Sequence, residues 1–213
     1  MIELLQFLLD FILHLDSHLV ALLEQYGIWL YAILFLIVFA ETGLVVTPWL
    51  PGDSLLFAVG ALAAIDTSGH LNIGTAGALL IVAAILGNSC NYAIGRFIGP
   101  PAFSGRYRLL KVDYLRQTEA YFVKHGGKTV VLSRFLPLLR TFAPFVAGIA
   151  RMQYSRFQMY NVLGALSWVT VFLGGGYLFG NIPLVRDNFG VVTLMIIFGS
   201  LIPVVIMALR SKR

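Results

Sequence analysis

No lysine or arginine precedes Arg96 in this chain of 213 residues, although its formal net charge is +5. A cleavable signal peptide needs a positive start and a small-residue cleavage site, and neither occurs in residues 1–24, so none is expected. The one cysteine, Cys90, lies in an apolar run; it excludes an intramolecular disulfide and is read as a packing residue. Charged residues make up only 12% of the chain against 59% hydrophobic, and the mean hydropathy is +0.86. Those values exclude an ordinary soluble domain and place the chain among polytopic membrane proteins.

The basic residues that do occur are segregated. Arg96, Arg106, Arg108, Lys111, Arg116, Lys124 and Lys128 fall in one stretch, and Arg210, Lys212 and Arg213 end the chain. A pI near 9.5 could suggest a nucleic-acid partner, but clustering of this kind is explained by membrane orientation, and no nucleic acid is expected. Both clusters should be cytoplasmic.

Residues 1–26 read as an N-terminal amphipathic helix, with Glu3, Asp10, His14, Ser17, His18 and Gln25 on one face. That stripe favours lying along the interface over spanning. Residues 28–64 hold two apolar arms, each shorter than the ~20 residues of a span. Between them stand Glu41, Pro48, Pro51, Gly52 and Asp53. A re-entrant hairpin satisfies such a sequence: in, a broken tip, and out on the same side. Asp53 and Ser54 are placed to cap its second arm.

Residues 73–98 are long enough to span, and 99–125 form a polar cytoplasmic connection. Residues 126–149 are again apolar and again broken, by Arg134, Pro137, Arg140 and Pro144. Two arginines and two prolines in one lipid-facing span would be costly, so a second re-entrant hairpin is expected. Residues 157–180 and 190–209 complete the chain as two spans. The expected fold is therefore a single all-α polytopic membrane domain: an inverted repeat of two re-entrant hairpins, each followed by a transmembrane helix, plus a C-terminal span and the N-terminal helix. Broken helices in paired positions are the sequence pointer to a transporter's binding site.

A charge near the bilayer centre costs about 2.5 to 3.5 kcal/mol, so such groups face a partner or a path for substrate. The first hairpin supplies acids and the second arginines. Arginine's planar fork matches phosphate oxygens, which makes Arg134 and Arg140 candidate anchors for an anionic headgroup. A carboxylate whose neighbouring arginine is taken by an anion changes its proton affinity, so Glu41, with Asp53 as second carrier or cap, is the candidate for proton coupling. The blander alternative is an ion-pair network that only ties the hairpins together. Asn88, Asn91 and Tyr92 are candidate cavity-lining residues but more simply satisfy bonds between helices. Trp168 and Asn161 read as packing or interface residues. The histidines have no partner at metal-ligand spacing, so neither a metal nor another cofactor is expected.

These runs resemble the bacterial DedA family of the VTT-domain superfamily. The residues that carry the resemblance are Phe39 to Leu56, Gly87 to Arg96, and Lys124 to Lys128 leading into Ser133 to Gly148. The resemblance implies an inner-membrane protein with two re-entrant hairpins, its acid and arginine pairs matching Glu41, Asp53, Arg134 and Arg140. It further implies movement of lipids between leaflets, notably undecaprenyl phosphate or phosphatidylethanolamine, driven by the proton motive force. The chain departs from the family at Asn88, where an acidic residue is common, so no third carboxylate is implied.

The expected partners are thus a phosphate-bearing membrane lipid and protons, with room for a homo-oligomer. Two other classes compete. A proton or cation antiporter would use the acids as its path. A lipid phosphatase is suggested by Ser68-Gly69-His70 and by Ser133-Arg134, but Thr67 stands where that motif has proline, and Arg140 where it has its second histidine. Without that histidine there is no nucleophile, and no enzyme is expected.

Overall fold

A computed structural model describes residues 25–44, 52–66, 69–102, 127–180, 182–186, 191–192 and 195. Among the described residues the ordered elements are all helical. They are α1 (Trp29–Gly43), α2 (Gly52–Ile65), α3 (Ile73–Ala102), α4 (Lys128–Ser133), α5 (Pro137–Ile149), α6 (Tyr154–Phe179) and the short α7 (Pro183–Arg186). Two apolar helices, Ile73–Phe97 and Tyr154–Phe179, are long enough to cross a membrane, at 25 and 26 residues. Helices α1 and α2 and the run Leu139–Ile149 are apolar but shorter. The N-terminal helix up to residue 24, the tip prolines Pro48 and Pro51, the connection beyond residue 102, and nearly all of the span 190–209 lie outside the described residues.

Two boundaries differ from expectation. Helix α3 continues past residue 98 to Ala102, with Pro100 and Pro101 in its last turn. The carbonyls those prolines leave without helical donors belong to Arg96 and Phe97, which are exposed. Helix α6 begins at Tyr154 rather than at 157. Cys90 is a correction: it is exposed on α3 rather than packed inside.

The chain divides into two compact units. One is drawn from Met1–Phe35, Trp49–Leu80 and Val169–Arg213, the other from Leu36–Pro48 and Ile81–Trp168. Helices α1, α3 and α6 contribute to both.

In the first unit, α2 lies against the second half of α6 with almost no side-chain spacer. A Cβ on Gly60 would collide with the Leu173 carbonyl, and one on Gly176 with the Phe57 carbonyl. Close backbone approach of this sort is how apolar helices associate where lipid removes the hydrophobic drive. Asn72 caps α3, its Oδ1 accepting from the amides of Gly74 (2.9 Å) and Thr75 (3.1 Å). The loop before it is held by Asp66, whose Oδ2 accepts from the Leu71 amide at 2.8 Å.

In the second unit, α5 lies against α3 in the same manner. A Cβ on Gly95 would strike the Phe145 carbonyl, and one on Gly148 the Tyr92 carbonyl. Tyr92, Val130, Ala147 and Phe157 form the core beside this contact. The Tyr92 and Phe157 rings stack with centroids 4.4 Å apart. The end of α1 also meets α3 closely, a Cβ on Gly43 standing 3.3 Å from the Gly87 Cα.

Candidate functional site

The second unit holds most of the charged residues singled out in the sequence. Helix α4 stops at Ser133, whose hydroxyl turns back to the Val130 carbonyl at 3.1 Å. Residues 134–136 then wind tightly through amide bonds to the carbonyls of Val131, Leu132 and Ser133. Leu136 is extended, and Pro137 restarts the chain as the first residue of α5, where its missing N–H costs nothing. Arg134 therefore sits in the break and Arg140 on the first turn of the new helix. Pro144, inside α5, withholds the donor that the Arg140 carbonyl would otherwise receive.

Arg140 Nη2 donates to Glu41 Oε1 from near the end of α1, and both side chains are buried. Arg134, also buried, takes other partners: its Nη2 donates to Asn161 Oδ1 at 2.7 Å and to the Ala84 carbonyl at 3.2 Å. Gly164 on α6 leaves the room for it, since a Cβ there would stand 2.9 Å from Arg134 Cδ. Both guanidiniums look onto one aromatic surface. Their Cζ atoms lie 6.0 Å (Arg134) and 5.6 Å (Arg140) from the ring centroid of the buried Trp168.

Asn91 ties the end of α1 to the start of α5. Its Nδ2 donates to the carbonyls of Thr42 (3.2 Å) and Thr141 (2.8 Å), the residues next to Glu41 and Arg140. Asn91 Oδ1, Thr141 Oγ1 and Arg134 Nε are buried with no hydrogen-bond partner among the described residues. A stranded buried polar atom costs about 1–3 kcal/mol, so these three atoms are an expense that the packing of the unit does not offset. Asn88 is buried as well. Tyr92 points its hydroxyl to the Met152 carbonyl and accepts from Arg96 Nη1 at 3.1 Å.

Asp53 and Gly52 belong to the first unit, where both are buried in the first turn of α2. There the carboxylate meets the positive end of the helix dipole. Trp168 and Asn161, expected as packing residues, are in contact with the arginines. Their sequence signal, an aromatic and an amide seven residues apart on one helix face, does not separate those roles.

The VTT domain matches residues 50–178. Protein DedA of Escherichia coli K12 is 52% identical over 212 residues, 99% of this chain and 96% of the relative. The chain belongs to the DedA family. An uncharacterized membrane protein of Mycobacterium leprae is 41% identical over 178 residues, covering 83% of this chain and 78% of its own. The E. coli inner membrane protein YqjA is 36% identical over 156 residues, 73% and 70%. No solved structure matches. DedA family membership together with the two long apolar helices identifies a membrane protein whose relatives are named for the inner membrane.

Proposed function

We propose that this DedA family member is a lipid translocase: it moves a phosphate-bearing headgroup, undecaprenyl phosphate or a phospholipid, between leaflets without breaking a bond in it. The observation that carries the reading is the buried cluster of Glu41, Arg140, Arg134 and Trp168. A phosphate is a better match for the guanidinium fork than a single carboxylate oxygen, so an arriving headgroup competes with Glu41 for Arg140. The displaced carboxylate, left in a dry interior, takes up a proton. Release of the lipid returns Arg140 to Glu41 and expels that proton, which couples headgroup movement to the proton gradient. Asp53 serves as the second carboxylate, and the acyl or prenyl tail stays in lipid throughout.

The same reading takes the two broken segments as re-entrant hairpins of an inverted repeat, with the C-terminus in the cytoplasm. In support, the arm after each break packs on a long helix through a reciprocal glycine pair in one register. Gly60 and Gly148 each follow by three residues the phenylalanine, Phe57 or Phe145, whose carbonyl faces the partner glycine. Gly176 and Gly95 stand in the same relation to Leu173 and Tyr92.

Headgroup flux in liposomes is the test. Arg140→Lys keeps the charge but loses the fork, and flux of a fluorescent lipid phosphate should fall at least tenfold. Undiminished flux would remove Arg140 as the anchor.

A further inference from the structure

A file of hydrogen-bonded side chains runs along one face of α6 from Arg134 to the protein surface. Asn161, Gln158 and Tyr154 are three and four residues apart, so they stack on that face. Arg134 Nη2 reaches Asn161 Oδ1 at 2.7 Å. Asn161 Nδ2 donates to Gln158 Oε1 at 2.9 Å. Gln158 Nε2 donates to Ser89 Oγ of α3 at 2.7 Å and to the Tyr154 hydroxyl. Burial falls off along the file: Asn161 is buried, Gln158 half-buried, and Tyr154 49% exposed. The neighbouring Met159, Val162, Leu163 and Leu166 are exposed and apolar. Amides inside a membrane helix are expensive unless satisfied, so a continuous row of them leading to a buried cation is a feature to be accounted for.

The outer end of the file is basic. Arg96, Arg151 and Arg156 are all exposed. Arg96 bonds the Tyr92 hydroxyl, which bonds the carbonyl of Met152 beside Arg151, and the Tyr92 ring lies 5.6 Å from that of Tyr154. Arg151 is held at φ 50°, the left-handed region, alone among described non-glycine residues. The Met152 amide bonds the Ala147 carbonyl and the Arg151 amide that of Gly148, both at 3.0 Å. That pattern closes a helix on a residue that is ordinarily glycine. An arginine kept where glycine fits without strain points to work done by its side chain.

We propose that the file is the access path of a phosphate-bearing anion to Arg134, with Arg151, Arg96 and Arg156 as its collecting mouth. This rests on the reading of Arg134 and Arg140 as headgroup anchors. Side chains that donate to one another in the resting file turn to the passing phosphate oxygens. The exposed arginines raise the local concentration of anions at the mouth.

The test uses the full chain in proteoliposomes, in a Cys90→Ser background. Gln158→Cys and Tyr154→Cys are each treated with thiol-reactive methanethiosulfonates of opposite charge. The anionic reagent should react several-fold faster than the cationic one at both positions. Adding Arg151→Gly should reduce that preference at least twofold while leaving the melting temperature unchanged or higher. A lipid monophosphate in the bilayer should slow labelling of Gln158→Cys. Slowing by lipid alone assigns the path to a lipid headgroup; slowing by inorganic phosphate as well assigns it to the free anion. A folded Gln158→Cys protein that does not react, or rates indifferent to reagent charge and to both phosphates, would overturn the path. Lipid flux by the unsubstituted protein is read in the same liposomes: flux with an unreactive file sinks the path alone, and a charge-selective file without flux sinks translocation alone.

Discussion

Glu41 and Arg140, 99 residues apart in the chain, form an ion pair from which solvent is excluded on both sides. Removing one partner strands the other charge in the interior and typically costs about 3–5 kcal/mol, whereas replacing both with apolar residues of similar size is often neutral. Glu41→Leu and Arg140→Met should each lower the melting temperature and abolish flux. The double variant should regain most of the stability and none of the flux. Thermal unfolding in detergent and liposome assays read the two properties separately. A double variant that still transports would leave the pair as scaffold only.

Trp168 faces two guanidiniums that repel each other. Each cation over an indole gains roughly 0.5–2 kcal/mol, an attraction that offsets the repulsion and keeps both arginines in one place. Trp168→Phe retains an aromatic face and should keep part of the flux; Trp168→Leu should lose it with a smaller fall in stability than Arg140→Met. Because the ring touches both arginines, its emission should shift when a lipid phosphate is added to Trp29→Phe/Trp49→Phe protein. An unaltered spectrum at saturating lipid would separate Trp168 from the headgroup's position.

Asn91 closes one helix end and clasps another. The Thr42 carbonyl is among the last four of α1, which have no partner within the helix, and the Asn91 amide supplies its donor while also reaching Thr141. Asn91→Asp removes both donations and sets a carboxyl against two carbonyl oxygens. It should be worse than Asn91→Leu, by roughly 1–3 kcal/mol, the penalty of a repelled buried group. Chemical denaturation of the two variants checks the order, and equal stability would show that the clasp is dispensable.

Much of this arrangement was written into local sequence. Pro137, four residues after the end of α4, forces the break that separates Arg134 from Arg140, and the lengths of α3 and α6 follow from long apolar runs. Which groups those arginines meet was not written there. Trp168 and Asn161 sit on α6 at a spacing that any packed helix uses, and only the absence of a side chain at Gly164 lets Arg134 come between them. Such partnerships depend on how helices distant in sequence are set against one another. The same limit explains Cys90: an apolar neighbourhood in sequence says nothing about which side of the helix faces outward.

The reciprocal glycines give the proposed repeat a stability signature. Alanine at Gly60, Gly95, Gly148 or Gly176 would drive a methyl into a backbone carbonyl of the opposing helix, which a rotamer change cannot relieve. Gly174 and Gly175, on the same helix as Gly176, have nothing within 4 Å of the added atom. There alanine should be neutral, or stabilising by up to about 1 kcal/mol, since glycine is the poorer helix former. The four contact positions should each lose at least as much as an overpacked core, about 1–3 kcal/mol. If the two pairs are equivalent parts of one repeated design, Gly60→Ala and Gly148→Ala will match in unfolding temperature to within the scatter between Gly95→Ala and Gly176→Ala. A large loss in one pair with none in the other would mean that a single unit carries the tight helix contact, and the shared register would then be coincidence.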